Sequence, residues 1–269
     1  MLLNLPCTIA PRWRRLALMT LLLSGLGTSH VHAFVLDWSQ VTWNTGSPSQ
    51  TFSDVQGSGI DISISTTLAG GFYNTPIQDN NQNLNLFPDW YSNNGASSYI
   101  DVTIRFTRTV TNVSFSFEDM DRGNISGSRP TRYYWEDVIE RANGWNGSSL
   151  VTPTATDVGS NILIDTTSRP GDVLYRGNTN LNWSPDGSFT LNWEQPVDTV
   201  SFRYSSGSRA QSNPAAQVIG ISNISFHSAV PEAGTLWLGA FLLAALALRS
   251  IPGMLAFYEK RRAPVSENS

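Results

Sequence analysis

Ile100-Asp101-Val102-Thr103-Ile104-Arg105-Phe106 is the stretch that decides the fold. Its even-numbered residues are apolar and its odd-numbered residues up to Arg105 are polar, which is typical of an antiparallel strand with one buried face. Val113-Ser114-Phe115-Ser116-Phe117 repeats this alternation. Further segments with the same alternation are 60–64, 161–165, 189–193, 200–204 and 221–226. The chain is therefore predicted to be all-β, an antiparallel two-sheet β-sandwich of jelly-roll or Ig-like type.

The segments between these strands are predicted from their turn-forming residues. The turn sequences are Ala69-Gly70-Gly71, Asn93-Asn94-Gly95, Asn143-Gly144, Asn146-Gly147 and Pro185-Asp186-Gly187. Trp135–Ala142 is the one helix candidate, and it is short. Asn74–Asn94 is rich in Asn and Gln without a clean period, so we expect a long loop there.

One pattern occurs twice in the chain. Thr103–Phe117 and Thr190–Tyr204 share the same spacing of apolar residues, 87 residues apart. Two readings are open: two strand–turn–strand units converged on one pattern, or half of a sandwich was duplicated.

The N-terminus has the three parts of a secretory signal peptide. Arg12, Arg14 and Arg15 precede an apolar run, Leu16–Leu26, and Val31-His32-Ala33 fits a cleavage site. We predict a signal peptide over residues 1–33 and a folded domain over 34–228. The alternative is an uncleaved anchor, although the apolar run is shorter than the roughly 20 residues that span a bilayer.

Removal of the signal excludes several chemistries. Cys7 is the only cysteine, so a chain that starts at Phe34 has no thiol for catalysis or metal binding. Its one histidine is His227, too few for a histidine-based zinc site. Residues 34–235 carry ten arginines, no lysine and 19 acidic residues, which argues against a nucleic-acid partner. The protein is therefore predicted not to be an enzyme, and carboxylate chemistry of the glycoside hydrolase type is the class left open.

Two groups of residues are candidate binding sites. Glu118-Asp119-Met120-Asp121 follows a predicted strand, and Asp137 comes soon after, so Asp119, Asp121 and Asp137 could bind Ca²⁺ through hard oxygen ligands. The alternative is a solvated turn paired with nearby arginines. Trp90, Tyr91 and Trp145 could stack on sugar rings at the surface, or they could pack beneath a loop.

The C-terminus combines a short motif, an apolar segment and a basic end. Val230-Pro231-Glu232-Ala233-Gly234-Thr235 lies in a predicted sorting motif, 229–235. We expect a transmembrane helix over 236–258 and a basic cytoplasmic tail over 259–269. Because Arg249 lies inside the apolar segment, a shorter span followed by an interfacial segment is the alternative.

This tail resembles the PEP-CTERM sorting signal of Gram-negative bacteria. Val230, Pro231, Glu232 and Thr235 match its motif, whereas Ala233 replaces the second proline. The resemblance implies processing by an exosortase near Pro231-Glu232, with at least transient anchoring in the inner membrane.

The expected function follows from both termini. We expect a secreted surface or exopolysaccharide-matrix protein with a non-catalytic β-sandwich module for binding or structure. The alternative is a lectin-like carbohydrate-binding domain or a carboxylate-based glycoside hydrolase. The expected partners are the exosortase, the membrane and extracellular polysaccharide.

Overall fold

The structure is a computed structural model that describes residues 32–79, 82–90, 97–124, 133–180, 184–214 and 217–229. The sorting-motif residues Val230, Pro231, Glu232 and Thr235 lie outside these ranges, as do Tyr91 and the predicted membrane segment 236–258. Within the described ranges, no helix is long and apolar enough to cross a bilayer.

Antiparallel strands make up almost all regular structure of the described residues, which confirms the all-β prediction. Two short 3₁₀ turns, Val55–Gly57 and Pro185–Gly187, are the helical elements in these ranges. The strands are β1 (Ala33–Leu36), β2 (Ser49–Phe52), β3 (Ile62–Ala69), β4 (Gly71–Asp79), β5 (Asn83–Trp90), β6 (Tyr99–Glu118), β7 (Arg122–Asn124), β8 (Tyr133–Asn146), β9 (Ser149–Val151), β10 (Thr154–Thr156), β11 (Ile162–Asp165), β12 (Leu174–Gly177), β13 (Phe189–Trp193), β14 (Val197–Ser206), β15 (Ile219–Ile221) and β16 (Ile224–Ser228).

The long strand β6 belongs to two sets of ladders. Its first half pairs with β3 on one edge and with β14 on the other. Its second half pairs with β13 on one edge and with β15 and β16 on the other. We call the first set, β2–β3–β6–β14–β8–β12–β11, branch A, and the second, formed by the end of β6 with β13, β10, β15, β16, β1, β5 and β4, branch B.

The two segments that share a sequence pattern lie side by side. β13 and β14 run antiparallel along the whole of β6, and Val197 pairs with Val110 where both segments pass from one branch to the other. The register shifts between Val197 and Thr199, and Asn112 has a left-handed φ of 50°. Residues 103–117 are thus part of one continuous strand, β6, rather than a strand–turn–strand unit. The strand bends near Asn112, but its pairing continues on both sides of the bend.

Aromatic side chains of the two branches contact each other in the core. Phe117 of branch B meets Phe202 of branch A edge to face, with ring centroids 4.7 Å apart. Trp90 and Tyr204 form a similar pair at 5.8 Å. These rings are fully or almost fully buried, and each contributes on the order of 1.5–3 kcal/mol through burial of its apolar surface.

Three sequence predictions are wrong. Trp135–Ala142 belongs to β8, because hydrogen bonds to β14 and β12 on both edges override its helix-like sequence. The expected loop Asn74–Asn94 contains the end of β4 and all of β5, whose buried Leu84 and Leu86 face one side. Asn143-Gly144 lies inside β8 instead of forming a turn. Turns at Gly70 and Gly147, both with positive φ, are confirmed.

The first and last strands of the described domain are neighbours. β1 pairs antiparallel with β16, and Ala33 lies directly opposite His227. Phe34 and Phe226 form the next pair, with ring centroids 5.6 Å apart. The first and last strands of the described domain therefore pair with each other within branch B.

Candidate functional site

The strand register places a row of polar side chains on one face of branch A. Directly opposed residues of an antiparallel ladder share a face. Asp101, Arg203 and Glu140 are opposed across three strands, and Arg176 and Ser205 oppose Val138. We call this side the polar face. The other side, with Ile139 and Tyr204, is the core face.

Charged pairs hold the centre of the polar face. Arg203 donates from Nε and Nη2 to the two carboxylate oxygens of Asp101, at 2.7 and 2.8 Å. Its guanidinium carbon lies 3.3 Å from the ring centroid of Tyr99. Burial favours loss of the Arg203 charge, but the hydrogen bond and charge of Asp101 raise its pKa overall. Arg203 is thus a fixed cation between two carboxylates.

Glu140 is the second carboxylate beside Arg203. It is fully buried and forms an ion pair with Arg169. Burial raises the pKa of Glu140, although the charge of Arg169 acts in the opposite direction. A buried charge of this kind is stable only while its partners remain in place, because removing one leaves an uncompensated ion.

A cleft of about 410 Å³ opens at one end of the polar face. We call it the Glu136 cleft, after the residue from β8 that it contains. Its lining residues are Glu136, Leu163, Ile164, Asp165, Thr166, Thr167, Ser168, Arg176, Ser208 and Arg209. It therefore combines two carboxylates, two guanidinium groups, several hydroxyl groups and two aliphatic side chains.

Arg176 lies between the two carboxylates of this cleft. Its Nη1 is 3.5 Å from Oε1 of Glu136, and its Nε is 3.3 Å from Oδ2 of Asp165. Glu136 is 1% exposed, and its Oε2 has no hydrogen-bond partner among the described residues. Such an oxygen costs about 1–3 kcal/mol when it stays unpaired.

Asp165 is held in a rigid turn at the edge of the cleft. It accepts hydrogen bonds from the backbone and hydroxyl groups of Thr167 and Ser168. These bonds, with the Ser168 hydroxyl first, lower the pKa of Asp165 far below its usual range. Asp165 therefore stays ionised and orders the loop that carries Thr166 to Ser168.

A second cleft, of about 360 Å³, lies at the other end of β8 on the same face. We call it the Trp145 cleft. Its lining residues are Thr103, Arg105, Trp145, Gly147, Asp198, Thr199 and Ser201. The half-buried Trp145 opposes Thr199, and Asp198 accepts from the backbone N–H of Gly147 (2.8 Å) and the Thr199 hydroxyl (2.9 Å). The predicted ligand-binding residue Trp145 thus lies beside a polar cleft.

The three predicted calcium ligands lie close enough to affect one another. Asp137 accepts from the Asp121 backbone N–H (3.0 Å) and from the Tyr204 hydroxyl (2.7 Å). Asp121 accepts from the Trp135 indole N–H at 2.6 Å. Burial raises the pKa of Asp137 well above its usual range, and the negative charges of Asp121 and Asp119 add to that effect. The oxygens of Asp137 thus already accept hydrogen bonds from the protein.

No group of three or more His, Cys, Asp or Glu in the described ranges has the arrangement of a metal site. Binding of Ca²⁺ by Asp119, Asp121 and Asp137 stays a prediction. The geometry instead makes Asp137 the centre of a buried polar network. Trp90 donates to Oε1 of Gln217 at 3.3 Å, Gln217 donates to Ser206, and the Tyr204 oxygen lies 3.3 Å from the same Oε1.

Trp90, the second predicted ligand-binding residue, is a core residue. It is fully buried, and its ring packs against Tyr204. In this position the indole offers no face to a ligand at the surface. Tyr91, the third, lies outside the described residues.

Sequence reasoning missed the residues of the Glu136 cleft. Asp165 and Arg176 come from separate strands, β11 and β12, and only the register with β8 brings them to Glu136. The one indication in the sequence was the alternate spacing of Glu136, Val138 and Glu140, which would place their side chains on the same face of a strand. Comparison with protein-family models gives no match to this chain, and comparison with curated proteins gives none either.

Proposed function

We propose that this chain is an exported bacterial protein of the cell surface or exopolysaccharide matrix, sorted through its C-terminal tail. The observation that carries the proposal is the pairing of an N-terminal signal-like segment with the C-terminal run from Val230 to Arg262. Apart from Ala33, the first residue of β1, both segments lie outside the strands of the described domain.

We infer that the two branches are the layers of a β-sandwich. The contacts of Phe117 with Phe202 and of Trp90 with Tyr204 support this arrangement, because each joins a strand of branch B to β14 of branch A. A strand such as β6, which passes through a bend from one layer to the other, is a known way of making a corner between packed sheets.

We infer that this module binds or supports other molecules rather than acting as an enzyme. A glycoside hydrolase site needs two carboxylates that flank the substrate. In the Glu136 cleft both carboxylates lie beside Arg176 instead, and the Trp145 cleft has one carboxylate. Each cleft is better suited to holding a ligand than to cleaving one.

The test is mass spectrometry of both termini of the protein recovered from fractionated cells of an exosortase-containing Gram-negative host. We expect an N-terminus at Phe34 and a C-terminus near Pro231-Glu232, in the surface or matrix fraction. Glu232→Ala should abolish the C-terminal cut, whereas Glu267→Ala, the same change in the tail, should not. Recovery of the full chain from the cytosol with residues 1–33 attached would overturn the proposal.

A further inference from the structure

We propose that the Glu136 cleft binds a neutral saccharide. This inference rests on the proposed role of the domain as a binding module, and it names the site and the ligand class. The Trp145 cleft is a separate location on the same face.

The first argument is the weak pairing of the Glu136 carboxylate. Glu136 is almost completely buried, yet its Oε2 accepts no hydrogen bond from the described residues. Arg176 reaches only the other oxygen, at 3.5 Å. Buried carboxylates are normally paired by shorter hydrogen bonds, so the Glu136 carboxylate, which lines the cleft, is a suitable acceptor for a hydroxyl group of a ligand.

The second argument is charge. The cleft contains the carboxylates of Glu136 and Asp165 and the guanidinium groups of Arg176 and Arg209, so its formal charges cancel. A cation or an anion would be attracted by two of these groups and repelled by the other two. A neutral molecule with many hydroxyl groups can donate to carboxylates and accept from guanidinium groups at once.

The third argument is the polar and apolar composition of the rim. Hydroxyl groups of Thr166, Thr167, Ser168 and Ser208 line the cleft. Leu163 and Ile164, which are 42% and 50% exposed, provide aliphatic surface beside them. A sugar ring has the same two kinds of surface, since its hydroxyl groups surround C–H faces. The volume of about 410 Å³ is within the usual range for small-ligand sites.

The fourth argument is that the cleft is already formed. The turn at Asp165 is fixed by hydrogen bonds from Thr167 and Ser168. A side chain at Gly207 would overlap the Glu136 carboxylate, so this glycine leaves the space that the carboxylate occupies. A pre-organised site loses less conformational entropy when a ligand binds.

The experiment uses the full chain, purified with its termini intact in a detergent without a sugar headgroup, because a glucoside or maltoside would compete. The probe is an array of neutral hexose and N-acetylhexosamine oligosaccharides, together with uronate-containing and sialylated counterparts. The best neutral glycan is then titrated calorimetrically. We expect saturable binding of neutral glycans, with acidic forms bound more weakly.

Two variants connect the binding to the cleft. Arg209→Ala removes an exposed side chain, and Glu136→Gln keeps the shape while removing the charge. Each should weaken binding at least about tenfold, the loss expected for a charge-assisted hydrogen bond. Arg108→Ala, the same change on an exposed residue of β6 outside both clefts, should leave the affinity unchanged. Thermal unfolding checks that each variant is folded.

Three results would overturn the proposal: no neutral glycan bound, preference for acidic glycans, or binding that is lost in Trp145→Ala but unchanged in Arg209→Ala. The third would move the ligand to the other cleft. None of these results changes the masses of the processed termini. Glycan binding therefore tests the cleft, and mass spectrometry tests the sorting proposal independently.

Discussion

At the scale of single residues, Asp137 is the clearest case of a charge controlled by its surroundings. It is 1% exposed and lies near two other carboxylates, Asp119 and Asp121. Tyr204 and a backbone N–H satisfy its oxygens. The cost of burying this group is therefore moderated by hydrogen bonds, and it becomes sensitive both to pH and to loss of either donor.

Replacement of Tyr204 by Phe removes the hydroxyl group that donates to Asp137. We expect the free energy of unfolding to fall by about 1–3 kcal/mol, because a buried acceptor is left unpaired. Urea denaturation measures the change. Tyr134→Phe is the matched control, since Tyr134 is 44% exposed, and it should change stability little. Equal effects of the two substitutions would contradict the buried network.

Asp137 also predicts a pH dependence. Its pKa in the folded protein lies well above the ordinary value of 3.8, so the folded state retains a proton that the unfolded chain has lost. The stability linked to Asp137 is full below the unfolded pKa and is lost as pH rises through the folded pKa. We therefore expect the melting temperature of Asp137→Asn, relative to that of the natural protein, to increase as the pH is raised above the ordinary pKa of 3.8. Parallel curves for the two proteins would rule this out.

At the scale of strands, β8 shows where sequence patterns fail. Trp135-Glu136-Asp137-Val138-Ile139-Glu140 has charged residues on both faces of a strand, so it lacks the alternation of a half-buried strand. The structure explains this composition, because Glu136 and Glu140 are paired with Arg176 and Arg169 on the polar face. Arg176 lies in β12 and Arg169 in the segment before it, and the ladder between β8 and β12 brings them near.

The alternation in Ile100–Phe106 predicted its strand correctly, because one side of this segment is apolar throughout and the other side is polar. The bend of β6 could not be predicted in the same way. Asn112 has a left-handed backbone, and Asn is the residue after Gly that adopts it most readily, so the residue type permits the bend without requiring it.

Substitution of Asn112 tests this bend. Valine is poorly tolerated at φ near 50°, so we expect Asn112→Val to lower the free energy of unfolding by about 1–2 kcal/mol relative to Asn112→Gly. Both variants lose the contact between the Asn112 amide and Nδ1 of His227, at 2.9 Å, so that contact does not contribute to the difference between them. Chemical denaturation gives both values, and indistinguishable stabilities would contradict the bend.

At the scale of the whole molecule, β6 and its neighbours β13 and β14 connect both branches. The core contains aromatic rings from each branch, among them Phe117 and Phe202. The repeat noticed between 103–117 and 190–204 therefore has a structural role, because both segments cross between the branches and pair at Val110 and Val197.

A double-mutant cycle tests whether the two branches pack face to face. Phe117→Leu and Phe202→Leu each remove one ring, and we expect a coupling energy of about 0.5–1.5 kcal/mol, as for other edge-to-face aromatic pairs. The cycle is measured by urea denaturation of the two single variants, the double variant and the natural protein. Additive effects would mean that the rings do not interact.

The candidate site was less predictable than the fold. Trp145 was predicted from the sequence as a surface aromatic that could bind a ligand. Glu136, Arg176 and Asp165, by contrast, form their cleft only through the pairing of β8, β12 and β11. Trp90 has the same side chain as Trp145 and lies in the core, because its ring fills space beside Tyr204. Composition alone cannot distinguish these two tryptophans, since burial depends on the register of each strand.

Because β1 pairs with β16, the fold does not require the chain to begin at β1 and end at β16. Ala33 and His227 are direct partners, so a short Gly-Ser linker could join the two ends of the domain without stretching either strand. New ends could then open in the exposed turn after Gly147, between β8 and β9. Such a circular permutant would contain every ladder of the natural domain. Its original ends would be joined to each other and could no longer be linked to an export or sorting segment.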